Sequence, residues 1–338
     1  MIFEIQRNLF ELMENLLRVN ESLSYFPYKS LLLKQFIGKV LLKNKHPVNI
    51  QAIGFWNILN LKYFTSKRYL RIVNKRVIFN YRGIKATMPL SWLYELVSML
   101  DVLEKMSRVG CSIYSLDERH FIIDFSRTGV NVRMILPFPY SPHALYWTFI
   151  RRVFNENVED KEVVDVGAYI GDTTVWFAKK KAYVYAFEPF PTSFKYLKIN
   201  CIINHVEDRV QLYPIAISKN SGRLKIRFNQ DFYKVEGFGS LFSGFNEIDV
   251  DCWSLRDVLE KLGLDQCYLL KMDCEGCEFD VISNSIDVLP RFRKIILEYH
   301  IRDEINKERC LKNLLKSLKI CGFRYIIKGN MIYAARRG

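Results

Sequence analysis

An aspartate, two glycines and a second acid at set intervals are the residues of this chain best suited to chemistry. Asp165 closes a short apolar run, Gly167 and Gly171 follow, Asp172 opens a helical pattern, and Glu188 ends the next apolar run 23 residues after Asp165. A carboxylate and paired glycines at a strand-to-helix turn bring backbone close to a nucleotide-like ligand, and an acid at the tip of the neighbouring strand accepts the hydroxyl protons of a ribose. The G-x-G-x-x-G dinucleotide fingerprint is missing, as is the Lys of a phosphate-binding loop, and the two aspartates would repel a pyrophosphate. They suit a cationic ligand or one with an ammonium group. An adenosine joined to a sulfonium and an amino acid, S-adenosylmethionine, meets these conditions together.

A second group follows the next apolar runs. CYLLKM (267–272) leads to Asp273 and Glu275, and KIILEY (294–299) carries Glu298 and leads to His300. Parallel sheets bind ligands at this carboxyl edge. Clustered carboxylates raise one another's pKa, so Asp273, Glu275 or His300 is able to act as a base towards a weakly acidic hydroxyl. Asp273 and His300 are the preferred candidates, although His300 fits a hydrogen-bonded structural histidine equally well. Glu278, inside the following helix, fits a structural role. The same oxygens and imidazole would also accept Mg²⁺, which lowers an acceptor's pKa directly; base catalysis without a metal is the reading taken. Cys274 and Cys277 form a C-x-x-C without the second pair that a structural zinc site needs, and are expected to pack around a tight turn.

The elements around these residues are legible from periodicity. VVDV (163–166), AYVYAF (182–187) and VQLYPIAI (210–217) alternate with helical stretches at 172–180 and 192–204, and a further helix is expected at 143–154. Strands alternating with helices imply a mainly parallel sheet covered on both faces. Gly329-Asn330 between two apolar runs signals a closing hairpin. Upstream, helical spacing marks 3–19 and 91–106, and alternation puts Tyr69, Val77, Phe79 and Tyr81 on the buried face of strands.

The segments VVDVGAYIGDTT, AFEPFPTSFKYLKIN, VQLYPIAIS, GFGSL (237–241), YLLKMDCEGCEFDVI and IILEYH resemble, in that order, the FkbM-type family of S-adenosylmethionine-dependent methyltransferases over about residues 135–335. The resemblance implies an α/β, Rossmann-like seven-stranded class I methyltransferase sheet with a C-terminal antiparallel hairpin. It also implies methyl transfer, usually to a hydroxyl oxygen of a sugar or other small molecule. Asp165, Gly167 and Gly171 match the family's cofactor loop, Glu188 its ribose acid, and Ala216 and Ile217 the segment beside adenine. Lys271, Asp273, Glu275, Gly276 and Glu278 match its fourth-strand motif. Tyr169 stands in that cofactor loop where the family often has Asn, and the two cysteines around Glu275-Gly276 replace apolar or small residues.

Composition bounds the rest. The chain of 338 residues is 49% hydrophobic and 25% charged, enough for two domains with real cores. A basic, mixed but largely helical N-terminal accessory domain (1–130) is expected before a methyltransferase domain (131–338). Residues 1–150 hold 20 Lys/Arg against 10 Asp/Glu, while 151–338 hold 30 against 26. No acid lies between Glu21 and Glu95, a stretch with 13 cations. Such a stretch offers RNA or an acidic lipid surface a binding face, or it is simply solvated. An RNA methyltransferase is therefore the alternative to a small-molecule or glycan O-methyltransferase, and a basic binding module without turnover is the third reading. No apolar run is long enough to span a membrane, and the acidic N-terminus is unlike a signal peptide, so a cytoplasmic protein is expected, either free or peripheral to an anionic membrane surface.

Overall fold

Apolar runs that bury both faces form the centre of the fold. The computed structural model describes residues 60, 63–74, 76–89, 92–228, 246–300 and 307–336. The expected helix at 3–19 and the GFGSL segment lie outside them. The chain divides into two compact units, Met1–Lys105 with Tyr114–Arg119, and Met106–Ile113 with His120–Gly338.

In the first unit β1 (Leu70–Val73), β2 (Arg76–Tyr81) and β3 (Ile84–Pro89) form an antiparallel sheet. Strand alternation buries Val77, Phe79 and Tyr81 completely and leaves Arg71, Arg76 and Lys85 exposed on the opposite face. Helix α1 (Leu93–Arg108) and strand β4 (Ser112–Asp117) follow.

The second unit begins with the antiparallel pair β5 (His120–Asp124) and β6 (Arg133–Pro137). The helix expected at 143–154 is instead one turn, His143–Leu145, followed by a π-helical stretch, Tyr146–Ile150. The wider turn lets consecutive Thr148 and Phe149 both face inward while Trp147 stays half exposed.

Then come β7 (Glu162–Val166), α2 (Asp172–Lys179), β8 (Tyr183–Phe187), α3 (Pro191–Ile203), β9 (Val210–Tyr213), β10 (Ala216–Ile217), β11 (Gly222–Phe228), β12 (Asn246–Trp253) and α4 (Leu255–Lys261). The chain continues with β13 (Cys267–Met272), α5 (Glu278–Asn284), β14 (Phe292–Glu298), α6 (Lys307–Ile320), β15 (Phe323–Lys328) and β16 (Met331–Arg336). The main sheet runs β15-β16-β14-β13-β7-β8-β9. β16 is antiparallel to both neighbours and the other pairs are parallel. This is the class I methyltransferase order, C-terminal hairpin included. Val164, Val166, Leu270, Met272, Ile295 and Leu297 share one core with α4, α5 and α6, and Asp165 faces α2 on the other side.

From β7 the chain builds outward through β8 and β9, then returns to lay β13 on the opposite side of β7. The crevice above β7 and β13 is thus the sheet's switch point, where such folds bind ligands.

Helix α3 is tied to β6 by two amides one helical turn apart. Asn200 accepts from the Ile135 amide (2.7 Å) and donates to the carbonyls of Ile135 and Ile170 (3.1 and 2.8 Å). Asn204 accepts from the Arg133 amide (2.9 Å) and donates to its carbonyl (2.6 Å). Alternate residues of a strand present backbone groups to the same edge, so the i,i+4 pair matches 133 and 135. Asn200 is fully buried. Asn200→Ala is therefore expected to lower the unfolding free energy by about 2–4 kcal/mol, measured by urea denaturation; a loss below about 1 kcal/mol would contradict this account.

Candidate active site

The two central strands meet through a buried ion pair. Asp165 on β7 and Lys271 on β13 are cross-strand partners, 0% and 2% exposed, with Nζ 3.1 Å from the carboxylate. Lys271 also donates to the Gly167 carbonyl (2.9 Å), and the Asp165 carboxylate accepts from the Thr173 and Thr174 hydroxyls in the first turn of α2 (2.8 and 2.7 Å). Burial works against the ammonium, but Asp165, Asp273 and Asp172 outweigh it and hold the Lys271 pKa up at about 12. One pair thus fixes both ends of the loop 167–171.

The loop's glycines answer to protein packing. A Cβ on Gly167 (φ +73°) would meet the Asp273 carbonyl at 1.8 Å, and one on Gly171 (φ +92°) would meet Leu197 of α3 at 2.8 Å. Between them Tyr169 also takes a left-handed φ of +51° and stacks on Tyr140. The close approach that demands glycine is made by β13 and α3, and is thus not evidence for a ligand.

Above this loop lies a cavity of about 630 Å³, within the range of ligand pockets. At one end stand Gly167, Tyr169 and Glu188, with an apolar wall of Phe190, Ala216, Ile217, Leu224 and Ile226. Glu188 is buried and accepts from the Tyr169 and Phe190 amides, both at 2.9 Å. Burial raises its pKa to about 7 although both amides oppose the shift. Two of a carboxylate's roughly four acceptor positions remain. A ribose hydrogen-bonded to Glu188 beside this apolar wall is compatible with these residues, so the residues present fit S-adenosylmethionine. Asp172 also lines the cavity and accepts from the Thr148 hydroxyl (2.6 Å); burial raises its pKa.

At the other end His300 faces four carboxylates. Its Nε2 lies 3.6 Å from Glu275, 3.7 Å from Glu298 and 3.9 Å from Asp273, and its Nδ1 lies 3.5 Å from buried Glu278. Burial disfavours the imidazolium, but contact with Glu278 and the charges of Glu275 and Asp273 prevail and raise its pKa to about 9. Asp273 moves upward as well, through burial and then Glu298, against the pull of Lys271. Donor atoms of Asp273, Glu275 and His300 lie within 4.8 Å of one another, close enough to share a divalent cation. Glu278 also accepts from the Cys274 and Gly276 amides (2.9 Å each), which anchors the loop between β13 and α5.

Residues 165–325 match the family model described as the methyltransferase FkbM domain. This stretch is similar to FkbM methyltransferase domains. The chain is 27% identical over 205 residues to 31-O-demethyl-FK506 methyltransferase FkbM of Streptomyces tacrolimicus, covering 51% of this chain and 76% of that protein. It is 26% identical over 184 residues to 2-O-methyltransferase NoeI of Sinorhizobium fredii, covering 47% and 71%. It is also 27% identical over 154 residues to methyltransferase sdnD of Sordaria araneosa, covering 36% of this chain and 58% of that one, under two thirds of its length.

Within this stretch the structure brings Gly167, Tyr169, Asp172, Glu188, Ala216, Ile217, Asp273, Glu275 and His300 to one cavity. Asp165 and Gly171 stand apart from its lining and act on the loop from behind. Cys274 and Cys277, expected to pack around a tight turn, are joined in a disulfide. Trp147 and Thr148 line the cavity without a sequence motif to announce them; their signal is a π-helical register that no periodicity displays. Lys271→Met would leave the Asp165 carboxylate buried without its cation. It is expected to destabilise the protein by about 3–5 kcal/mol in guanidinium denaturation, and adding Asp165→Asn should recover part of that loss.

Proposed function

We propose that this chain is an S-adenosylmethionine-dependent methyltransferase acting on a hydroxyl oxygen of a sugar, glycan or other small molecule. The carrying observation is one cavity that joins the Glu188 end, with its apolar slot, to the His300 carboxylate cluster. Two relatives are named for oxygen methylation, which supports extending that chemistry to this chain. A second reading, an RNA acceptor, draws on the exposed Arg71, Arg76 and Lys85 of the β1–β3 sheet; the rest of the basic stretch lies largely outside the described residues.

Bound S-adenosylmethionine supplies a methyl group on a cationic sulfur, ready for in-line displacement. Glu188 would accept from the ribose hydroxyls, while Phe190, Ala216 and Ile217 would line the adenine side. Asp172, oriented by Thr148, would hold the ammonium end, and Asp165 serves indirectly by holding Lys271 and α2. At the acceptor end His300 takes the hydroxyl proton at Nε2. Glu278 orients the ring from Nδ1, and Asp273, Glu275 and Glu298 stabilise the imidazolium that forms. The protein's main contribution beyond this proton transfer is alignment.

Ionised Glu188 is the better acceptor, and its raised pKa means that ionisation is completed only as pH rises through about 7. Affinity for S-adenosylhomocysteine in calorimetry should therefore increase from pH 6 to pH 8. Glu188→Gln should weaken it by roughly 10- to 100-fold and flatten that dependence; unchanged affinity would overturn the assignment. His300 must be neutral to accept a proton, and its raised pKa delays this to about 9. Methyl transfer to a hydroxyl acceptor should accordingly rise with pH up to about 9. Glu298→Gln, by removing one anion, should move the rise to lower pH, and His300→Ala should cost about 10²–10⁴ in kcat.

A further inference from the structure

Between β13 and α5 the chain makes a turn that few sequences tolerate. Glu275 has φ +56° and Gly276 φ +113°, two left-handed residues in succession, the first of them not glycine. The Cys274–Cys277 disulfide closes this turn, with Cα atoms 5.5 Å apart. Cys274 is half-buried and both cysteines line the cavity, so a small dithiol can reach the Cys274 sulfur. The turn also holds Glu275 to His300. The other six cysteines are free, five of them buried, so this pair stands chemically apart.

We propose that Cys274–Cys277 is a thiol–disulfide exchange site for dithiol reductants, and that its redox state sets the position of Glu275 against His300. In the exchange a thiolate of the dithiol attacks Cys274 Sγ, the Cys274–Cys277 bond breaks, and Cys277 leaves with the electron pair and takes up a proton. The second thiol of the reductant then attacks the mixed disulfide and releases Cys274 as a thiol. The reductant ends as a disulfide, and the reverse sequence with an oxidised dithiol restores the bridge. The reduced turn keeps the hydrogen bonds from the Cys274 and Gly276 amides to Glu278, so the loop stays folded but loses its covalent closure. Glu275 is then free to leave its strained conformation.

The catalytic consequence rests on the methyltransferase reading above; the exchange itself does not. Treating the folded full-length chain with dithiothreitol and then a maleimide should label Cys274 and Cys277 by mass spectrometry, and His300 ring resonances should shift between the oxidised and reduced forms. Affinity for S-adenosylhomocysteine should be the same in both forms, while kcat falls about 10- to 100-fold on reduction, as expected for a displaced group at a reaction centre, and returns on reoxidation. Cys274→Ser/Cys277→Ser should resemble the reduced form and ignore dithiothreitol, whereas Cys310→Ser should respond as the native chain does. A pair that resists dithiothreitol in the folded protein, or His300 resonances identical in both forms, would overturn the proposal. Failure of both forms to bind S-adenosylhomocysteine would instead sink the methyltransferase reading and leave labelling and resonances to decide the exchange site.

Discussion

The contact between Asp165 and Lys271 is the constraint on which the rest of this site depends. It joins the two strands on either side of the switch point, and each partner has a second task in the loop between them. A buried ion pair is weak evidence for stability in itself, because desolvation offsets most of the Coulomb attraction. Its better use is registry. Here the lysine ties down the start of the loop 167–171 and the aspartate ties down the helix that follows, so the loop has little freedom when a ligand arrives. Gly167 completes the arrangement by letting the end of β13 approach closer than any side chain would permit.

The two ends of the cavity are electrically unlike. Near Glu188 the walls are mostly apolar and its buried carboxylate accepts from two amides. Around His300 four carboxylates share one imidazole, and the excess negative charge retains protons that isolated groups would release. The field of that cluster attracts cations, and the same field keeps the His300 imidazole protonated to higher pH. Buried Glu278, 3.5 Å from Nδ1, adds to that hold.

Much of this was legible in the residue pattern because buried parallel strands leave continuous apolar runs. VVDV, AYVYAF and CYLLKM all became strands within a residue of their expected bounds, and Gly329-Asn330 does turn between β15 and β16. The acids followed, since a residue at a strand tip is placed by the strand. What periodicity misses is long-range approach. The glycines look like ligand contacts until the Asp273 carbonyl and Leu197 are seen beside them. Asp165 has the type of a ligand contact and the position of an internal brace. The π-helical stretch that directs Trp147 and Thr148 depends on a register shift that helical spacing does not encode. Cys274 and Cys277 have the separation of a bridge, but only the sharp left-handed turn between them brings their sulfurs together.

The amides of Asn200 and Asn204 have one more effect. Strand β6 pairs with β5 on one side and would otherwise present donors and acceptors on its other side to any passing extended chain. By occupying the groups of residues 133 and 135, helix α3 denies that template to a second molecule. Two amides at the C-terminal end of α3 thus cover the outer edge of β6, a strand that itself begins with Arg133 and ends with Pro137.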